Sequence, residues 1–118
     1  MRPKVKLASI YKIEHKSGYY YIGCSNDSFS RWSSHYTSLR LKNHSSIDLQ
    51  NLFNITNIED WTFSILEYVS ITEHRLETGL KGKSLIDSFR RLLLKKEKYW
   101  MSQYSINFAL NKNKKYFS

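Results

Sequence analysis

Hydrophobic, β-prone residues near the start of the chain fall in two short runs separated by polar residues. Two short runs rich in Ile and Tyr, about Leu7–Ile13 and Tyr19–Cys24, flank a polar segment that ends in Gly18. Glycine accepts the positive φ that a tight turn requires, so this pattern predicts a β-hairpin. In the second strand Tyr21 and Gly23 point to the same face, because side chains two residues apart share a face of a strand.

The next segment changes to the period of an α-helix. Ser25–Ser28 are residue types that favour a helix N-cap, and the helical pattern then continues to about Leu41. Arg31 and His35 are four residues apart, so they lie above one another beside the apolar stripe. Four side chains at helical spacing are predicted to face the core: Phe29, Trp32, Tyr36 and Leu39.

The rest of the chain predicts two more helical segments, a third strand and a long helix. The segments are a helix over about Ile47–Asn54, a strand over Trp61–Val69, a surface excursion over Ser70–Lys83 with a short helix at about Thr72–Thr78, and a helix over about Ser84–Tyr104. The helix at Ile47–Asn54 has four predicted inward residues: Ile47, Leu49, Leu52 and Phe53.

One carboxylate falls on the apolar side of the long helix. Glu97 lies four residues after Leu93 and eight after Phe89, and an unpaired carboxylate is unusual in such a place. The other residues predicted on the buried side are Leu85, Leu92 and Trp100, and those predicted to face solvent are Arg90, Arg91, Lys95, Lys96 and Lys98.

Composition limits the classes of function. The chain has 118 residues, enough for one domain with a core, and its net charge of +9 favours an anionic partner such as nucleic acid. No apolar run approaches the roughly 18–20 residues of a membrane span, and no signal-like segment opens the chain. The single cysteine, Cys24, excludes an intramolecular disulfide and any multi-cysteine zinc site. We therefore expect a cytoplasmic protein that faces nucleic acid and not a membrane.

Several separated residues together resemble a known family. They are Ile10-Tyr11 and Tyr21-Ile22-Gly23 on the hairpin, Arg31 and His35 on the first helix, His44 after it, and Glu97 three residues before Trp100. In this order they resemble the motif residues of the GIY-YIG nuclease domain. The resemblance covers about Ser9–Asn111 and is greatest to the nuclease domains of phage-type homing endonucleases.

That resemblance implies an α+β fold in which helices flank a small three-stranded antiparallel sheet. It also implies hydrolysis of DNA phosphodiesters with one divalent ion, Mg²⁺ or Mn²⁺, per active site. The catalytic residues that it implies are Tyr11, Tyr21, Arg31, His35 and Glu97, with Glu97 as the metal ligand and with Gly23, His44 and Asn107 in support. Ser9 replaces the first motif glycine, and the segment Ser70–Gly82 is longer than a minimal domain needs.

The chemistry of these side chains agrees with that activity. The guanidinium of Arg31 is always charged and presents a fork of donors to two phosphate oxygens. A lone carboxylate such as Glu97, with substrate oxygens and waters, is a usual way of holding Mg²⁺. The general base is Tyr11 or His35: the ordinary pKa of a tyrosine, about 10, must be lowered for this task, whereas histidine titrates nearer neutrality. We favour Tyr11, with Tyr21 orienting water or phosphate.

Two matters stay open at this level. A non-catalytic basic module of the same fold is the alternative function. No separate DNA-recognition domain is expected, so specificity is low, comes from a dimer or a partner protein, or lies in the Ser70–Lys83 excursion. The similarity to homing enzymes favours a phage or mobile-element setting in the host-cell cytoplasm. The basic residues expected to contact DNA are Lys12, Arg40, Lys42, Lys112 and Lys114.

Overall fold

The structure, a computed structural model, describes residues 7–111. Over this range the chain forms an α+β fold, as predicted. Its elements are β1 (Ser9–His15), β2 (Tyr20–Ser25), α1 (Ser28–Arg40), α2 (Ile47–Asn54), β3 (Trp61–Tyr68), α3 (Ile71–Thr78) and α4 (Gly82–Met101), with short 3₁₀ turns at Ile58–Asp60 and Ile106–Phe108. No helix in this range is both long enough and apolar enough to cross a membrane.

The strands form one antiparallel sheet in the order β2-β1-β3, which places β1 in the centre. Tyr11 on β1 lies opposite Gly23 on β2 and Ile65 on β3. The predicted hairpin is confirmed, and Gly18 has a φ of 104°, so the turn uses the conformation that only glycine adopts at low cost.

The two faces of the sheet pack against different helices, because successive side chains of a strand alternate in direction. On one face, apolar side chains of the strands pack against α4 in the larger core cluster, which includes Ile10, Ile22, Phe89 and Leu93. On the other face, Tyr21 packs with Leu39 of α1 and Leu49 of α2. Tyr11 shares this second face, because it is the cross-strand partner of Gly23.

The outer edge of β2 is closed by the end of the described chain. The backbone N–H of Leu110 donates to the Tyr20 carbonyl oxygen at 2.7 Å. The Asn111 side chain accepts from the Ile22 N–H at 2.9 Å and donates to the Ile22 carbonyl oxygen at 2.8 Å. Edge backbone groups that would otherwise lack strand partners are therefore satisfied.

Ser9 connects β1 to the start of α1. The Ser28 hydroxyl donates to the Leu7 carbonyl oxygen at 2.6 Å, so its only hydrogen is used there. The fully buried Ser9 hydroxyl must then donate to the Ser28 hydroxyl oxygen. The residue that replaces the motif glycine thus forms a hydrogen bond between the strand of Tyr11 and the helix of Arg31.

Some predicted details are wrong. Phe29 is 69% exposed and Ile47 is 73% exposed, although both were predicted to face the core. On α1 the buried positions are Ser28, His35 and Leu39, so the inward face is rotated towards the histidine, which hydrogen bonds allow to be buried. On α2 the buried residues are Leu49 and Gln50, and the partly buried Leu52 and Phe53 pack against the smaller core cluster, as predicted.

The long helix differs from its prediction at two points and agrees with it at a third. It ends at Met101 and not at Tyr104, because the N–H of Ser102 bonds the carbonyl oxygens of the last turn. Lys96 does not face solvent freely, since its Nζ lies 2.7 Å from Glu67 Oε2. Glu97 is buried, as its position on the apolar side predicted.

Candidate active site

Gly23 allows Tyr11 to lie flat against β2. A Cβ built at Gly23 would lie 2.6 Å from Tyr11 Cζ, far inside ordinary contact distance. Tyr11 is only 2% exposed, and its ring is also in contact with the rings of His35 and Phe63. The absence of a side chain at Gly23 therefore determines where the Tyr11 hydroxyl sits.

A chain of short hydrogen bonds leads from this hydroxyl into the protein. Tyr11 Oη lies 2.6 Å from His35 Nε2, and His35 Nδ1 lies 2.6 Å from His44 Nε2. The backbone N–H of Ser46 donates to His44 Nδ1 at 2.9 Å. Tyr11, His35 and His44 are thus consecutive members of one buried network.

The direction of every bond in this network follows from its inner end. A backbone N–H can only donate, so His44 Nδ1 carries no hydrogen and a neutral His44 holds its hydrogen on Nε2. His44 then donates to His35 Nδ1, which places the hydrogen of a neutral His35 on Nε2. His35 consequently donates to the Tyr11 oxygen, and the hydrogen of the Tyr11 hydroxyl points away from His35.

Burial keeps both histidines neutral. Desolvation, together with the neighbouring charges of His44 and Arg31, lowers the pKa of His35 to about 4. Desolvation also lowers the pKa of His44, although the bond from Ser46 opposes this effect. Burial raises the pKa of Tyr11 well above its ordinary value, and the charge of Arg31 opposes the rise. At neutral pH the network therefore consists of uncharged groups.

Tyr21 lies beside this network. Its ring meets His35 edge to face at a centroid distance of 5.3 Å and meets His44 in the same way at 5.9 Å. The Tyr21 side chain is half-buried, on the same face of the sheet as Tyr11. The two predicted motif tyrosines are thus brought together around His35.

Glu97 lies at the far end of β2, on α4. Its carboxylate is 7% exposed and accepts hydrogen bonds from the N–H and the thiol of Cys24. Burial raises the pKa of Glu97, and the Cys24 bonds and the charge of Arg31 oppose that rise. Burial and the neighbouring Glu97 raise the pKa of the Cys24 thiol to about 12, so the thiol remains a neutral donor.

Arg31 links the two halves of the site. It is exposed on α1, and its charge acts on Tyr11, His35 and Glu97. Among the described residues, none of the ion pairs involves Arg31 or Glu97. The arrangement is therefore an exposed guanidinium between a buried tyrosine and a buried carboxylate, with no surface carboxylate to neutralise it.

The residues predicted to support the site lie in different environments. His44 is part of the network, whereas Asn107 is exposed on the last 3₁₀ turn, where its backbone N–H bonds Ser105. The asparagine whose side chain bonds β2 is Asn111. In this structure Asn107 therefore makes no contact that would support the catalytic groups.

The residues predicted to contact DNA are also placed differently from one another. Lys12 has a side chain only 14% exposed, pairs with Glu14 at 3.2 Å and lies over the Tyr104 ring, so it presents little charge to a phosphate. Arg40 and Lys42 are exposed at the end of α1. Lys112 and Lys114 lie outside the described residues.

Three contributing residues were not predicted to take part in the site: Cys24, Ser46 and Asn111. Each acts through position more than through residue type. Cys24 follows Gly23 and so points to the opposite face, towards α4, and Ser46 lies two residues after His44. A serine two residues after a histidine is visible in the sequence, so the bond from the Ser46 N–H to His44 had a local sequence signal.

The residues present fit one divalent ion. Glu97 is a buried carboxylate that receives bonds from neutral donors only, so the protein supplies it with no direct positive partner. Within residues 7–111, no group of three or more acidic, histidine or cysteine side chains could hold a metal ion. One carboxylate completed by waters and substrate oxygens is a ligand set that Mg²⁺ accepts.

The comparisons with known proteins agree with this fold. The profile of the GIY-YIG catalytic domain matches residues 7–111. The chain therefore belongs to the GIY-YIG family of nuclease domains. Two solved structures are similar to it, and both are described as the catalytic domain of I-TevI, one as a homing endonuclease and one as a mutant of the intron endonuclease.

The similarity to I-TevI extends over most of both chains. The homing endonuclease structure has a TM-score of 0.67 at 25% identity and covers 89% of this chain and 97% of its own. The mutant structure has a TM-score of 0.66 at 24% identity and covers 89% of this chain and 92% of its own. No curated protein sequence matches the chain.

Proposed function

We propose that this GIY-YIG nuclease domain is an endonuclease that hydrolyses DNA phosphodiester bonds with a divalent ion, Mg²⁺ or Mn²⁺, held at Glu97. The observation that carries this proposal is that one unpaired arginine, Arg31, acts electrostatically on both the buried Tyr11 and the buried Glu97. An exposed guanidinium that forms no ion pair within residues 7–111 is a site for an anion. A phosphate is the anion that a chain of net charge +9 is suited to attract.

Arg31 is proposed to bind the scissile phosphate. Its exposed guanidinium can donate to two phosphoryl oxygens and meet the charge that grows on them as the bond breaks. Removing one such donor typically costs about 3 kcal/mol of transition-state stabilisation, which corresponds to a rate loss of roughly 10²–10³.

Tyr11 is proposed as the group that orients and deprotonates the attacking water. Both ring nitrogens of His35 are already engaged, by Tyr11 and by His44, so His35 has no free nitrogen for a water. The Tyr11 oxygen accepts from His35, and such a bond stabilises the oxygen when it carries negative charge. His35 therefore acts through Tyr11, and Tyr21 is proposed to orient water or phosphate beside it.

Glu97 is proposed to hold the ion, with Cys24 fixing its carboxylate by two hydrogen bonds. When bound there, a divalent ion would stabilise the leaving oxygen and favour ionisation of hydroxyl groups near it. Because burial raises the pKa of Tyr11, its ionisation at neutral pH depends on such added positive charge.

The test is cleavage of supercoiled plasmid and of duplex, branched and single-stranded oligonucleotides with Mg²⁺, Mn²⁺ or EDTA. We expect cleavage only with the metal, and we expect Glu97→Ala and Arg31→Ala to abolish it while binding of the same DNA persists. Glu77→Ala and Arg75→Ala remove the same charges from exposed positions of α3 and should cleave like the wild-type protein.

Two results would contradict the proposal. Cleavage that persists in EDTA would remove the need for the ion at Glu97. Salt-sensitive DNA binding without cleavage of any of these substrates would instead favour the non-catalytic binding module of the same fold.

A further inference from the structure

A cleft adjoins the proposed catalytic groups on the side of α4. It has a volume of about 530 Å³ and is lined by Arg31 of α1, by Cys24 at the end of β2 and by Arg90 of α4. Ile86 and Leu94, which are both exposed, contribute apolar surface to it. Because Arg31 lines the cleft and is also one of the proposed catalytic groups, the cleft is continuous with the proposed catalytic site.

The spacing along α4 relates the cleft to the proposed metal ligand. Arg90 precedes Glu97 by seven residues, which is nearly two helical turns, so the two side chains lie along one side of the helix. At 1.5 Å per residue their Cα atoms are separated by about 10 Å along the axis. A nucleic-acid strand advances about 3.4 Å per nucleotide, so this distance corresponds to roughly three nucleotides at most.

The charge of the cleft suits an anion. Arg90 is exposed, and among residues 7–111 neither Arg90 nor Arg31 takes part in an ion pair. Asp87 also lines the cleft and forms no ion pair in that part of the chain, so it leaves both guanidinium groups available. The lining thus combines two free guanidinium groups with one carboxylate and an apolar wall.

We propose that this cleft is a substrate subsite, in which Arg90 binds a phosphate of the cleaved strand one to three nucleotides from the scissile bond and the apolar wall contacts the sugar. The proposal rests on the proposed nuclease function and adds a second phosphate-binding arginine to it. Arg90 holds the strand in register with Arg31 and Glu97 and takes no part in the bond-breaking step.

The test compares Arg90→Gln with Arg91→Gln, which removes the same charge from the next, exposed position of the same helix. In Mg²⁺-dependent cleavage we expect Arg90→Gln to raise KM roughly tenfold with kcat nearly unchanged, as the loss of one charged hydrogen bond implies. The slope of log affinity against log salt should fall by about one in Arg90→Gln, and Arg90→Lys should restore it.

A second measurement locates the phosphate. Neutral methylphosphonate groups are placed singly along the substrate strand. The wild-type protein and Arg91→Gln should each lose affinity at one position near the scissile bond, where Arg90→Gln should be insensitive, while all three respond alike elsewhere. If the wild-type protein cleaves DNA but Arg90→Gln and Arg91→Gln behave alike, the subsite alone is overturned. If the wild-type protein does not cleave, the nuclease function itself is overturned.

Discussion

Gly23→Ala is expected to inactivate the protein by displacing Tyr11, without removing any group proposed to act in cleavage. The added Cβ would lie 2.6 Å from Tyr11 Cζ, whereas carbon atoms ordinarily approach to about 3.5–4.0 Å. Tyr11 is fully enclosed, with the rings of His35 and Phe63 about it, so it cannot turn outward to avoid the methyl group.

The magnitude follows from that overlap. Relief requires a displacement of the Tyr11 ring by about 1 Å, and misplacement of a catalytic group by that distance costs on the order of 10²-fold in rate. Overpacking of a tight core costs about 1–3 kcal/mol in free energy of unfolding. The hydroxyl also moves relative to His35 Nε2, which now lies 2.6 Å away.

The assay pairs kcat/KM for plasmid cleavage with urea unfolding. Gly79→Ala is the matched control: Gly79 has a φ of 71°, so alanine is strained there, but no atom lies within 4 Å of the added Cβ. It should lose about 1 kcal/mol of stability and keep its activity.

A double variant isolates the overlap itself. Tyr11→Phe removes the hydroxyl oxygen, which is among the atoms nearest the added Cβ. In the Gly23→Ala background it should cost less stability than in the wild-type protein, because it also relieves part of the overlap, while cleavage stays absent; a double-mutant cycle measures this coupling. Wild-type cleavage by Gly23→Ala, or no favourable coupling energy between the two substitutions, would refute the reasoning.

Two further predictions concern the histidine network and the sheet edge. The pKa of His35, about 4, lies below that of an unfolded histidine, so acidification protonates the unfolded chain first. The free energy of unfolding should therefore fall by up to about 3 kcal/mol between about pH 6.5 and 4. Urea unfolding of His35→Gln over the same range should show a smaller dependence of this free energy on pH. An equal dependence in that variant would assign the pH dependence to other groups. Asn111→Ala should lower the free energy of unfolding by about 2 kcal/mol, because it leaves the Ile22 N–H and carbonyl oxygen without partners. Asn107→Ala, at an exposed position, should lower it by less than about 0.5 kcal/mol. Equal losses of the two variants in urea unfolding would contradict the edge contact.

The elements of the fold could be predicted from local patterns because each has its own signal. The turn glycine, the Ser and Asp residues before α1 and the apolar period of α4 agree with the structure to within a few residues. Helix rotation was predicted less well. Phe29 was expected inside because apolar residues are usually buried, but His35 occupies that face, since its two nitrogens find partners only in the folded chain.

The groups proposed to act in catalysis could be named from the sequence, but the groups that orient them could not. The resemblance to a family identified Tyr11, Arg31 and Glu97, since those residue types recur in the motif. The bond from Ser46 to His44 is local, but the donors of Cys24 and the role of Asn111 depend on contacts between distant segments. A period or a motif in one sequence contains no information on such contacts.

The hydroxyl pair of Ser9 and Ser28 has a consequence for how activity depends on temperature. It connects the strand of Tyr11 to the first turn of the helix that holds Arg31, so the intervening segment at Asn26 does not set the distance between Tyr11 and Arg31. Warming should therefore loosen that segment without separating them. Cleavage should then increase with temperature until the domain unfolds as a whole, with no earlier optimum caused by local loosening of the site.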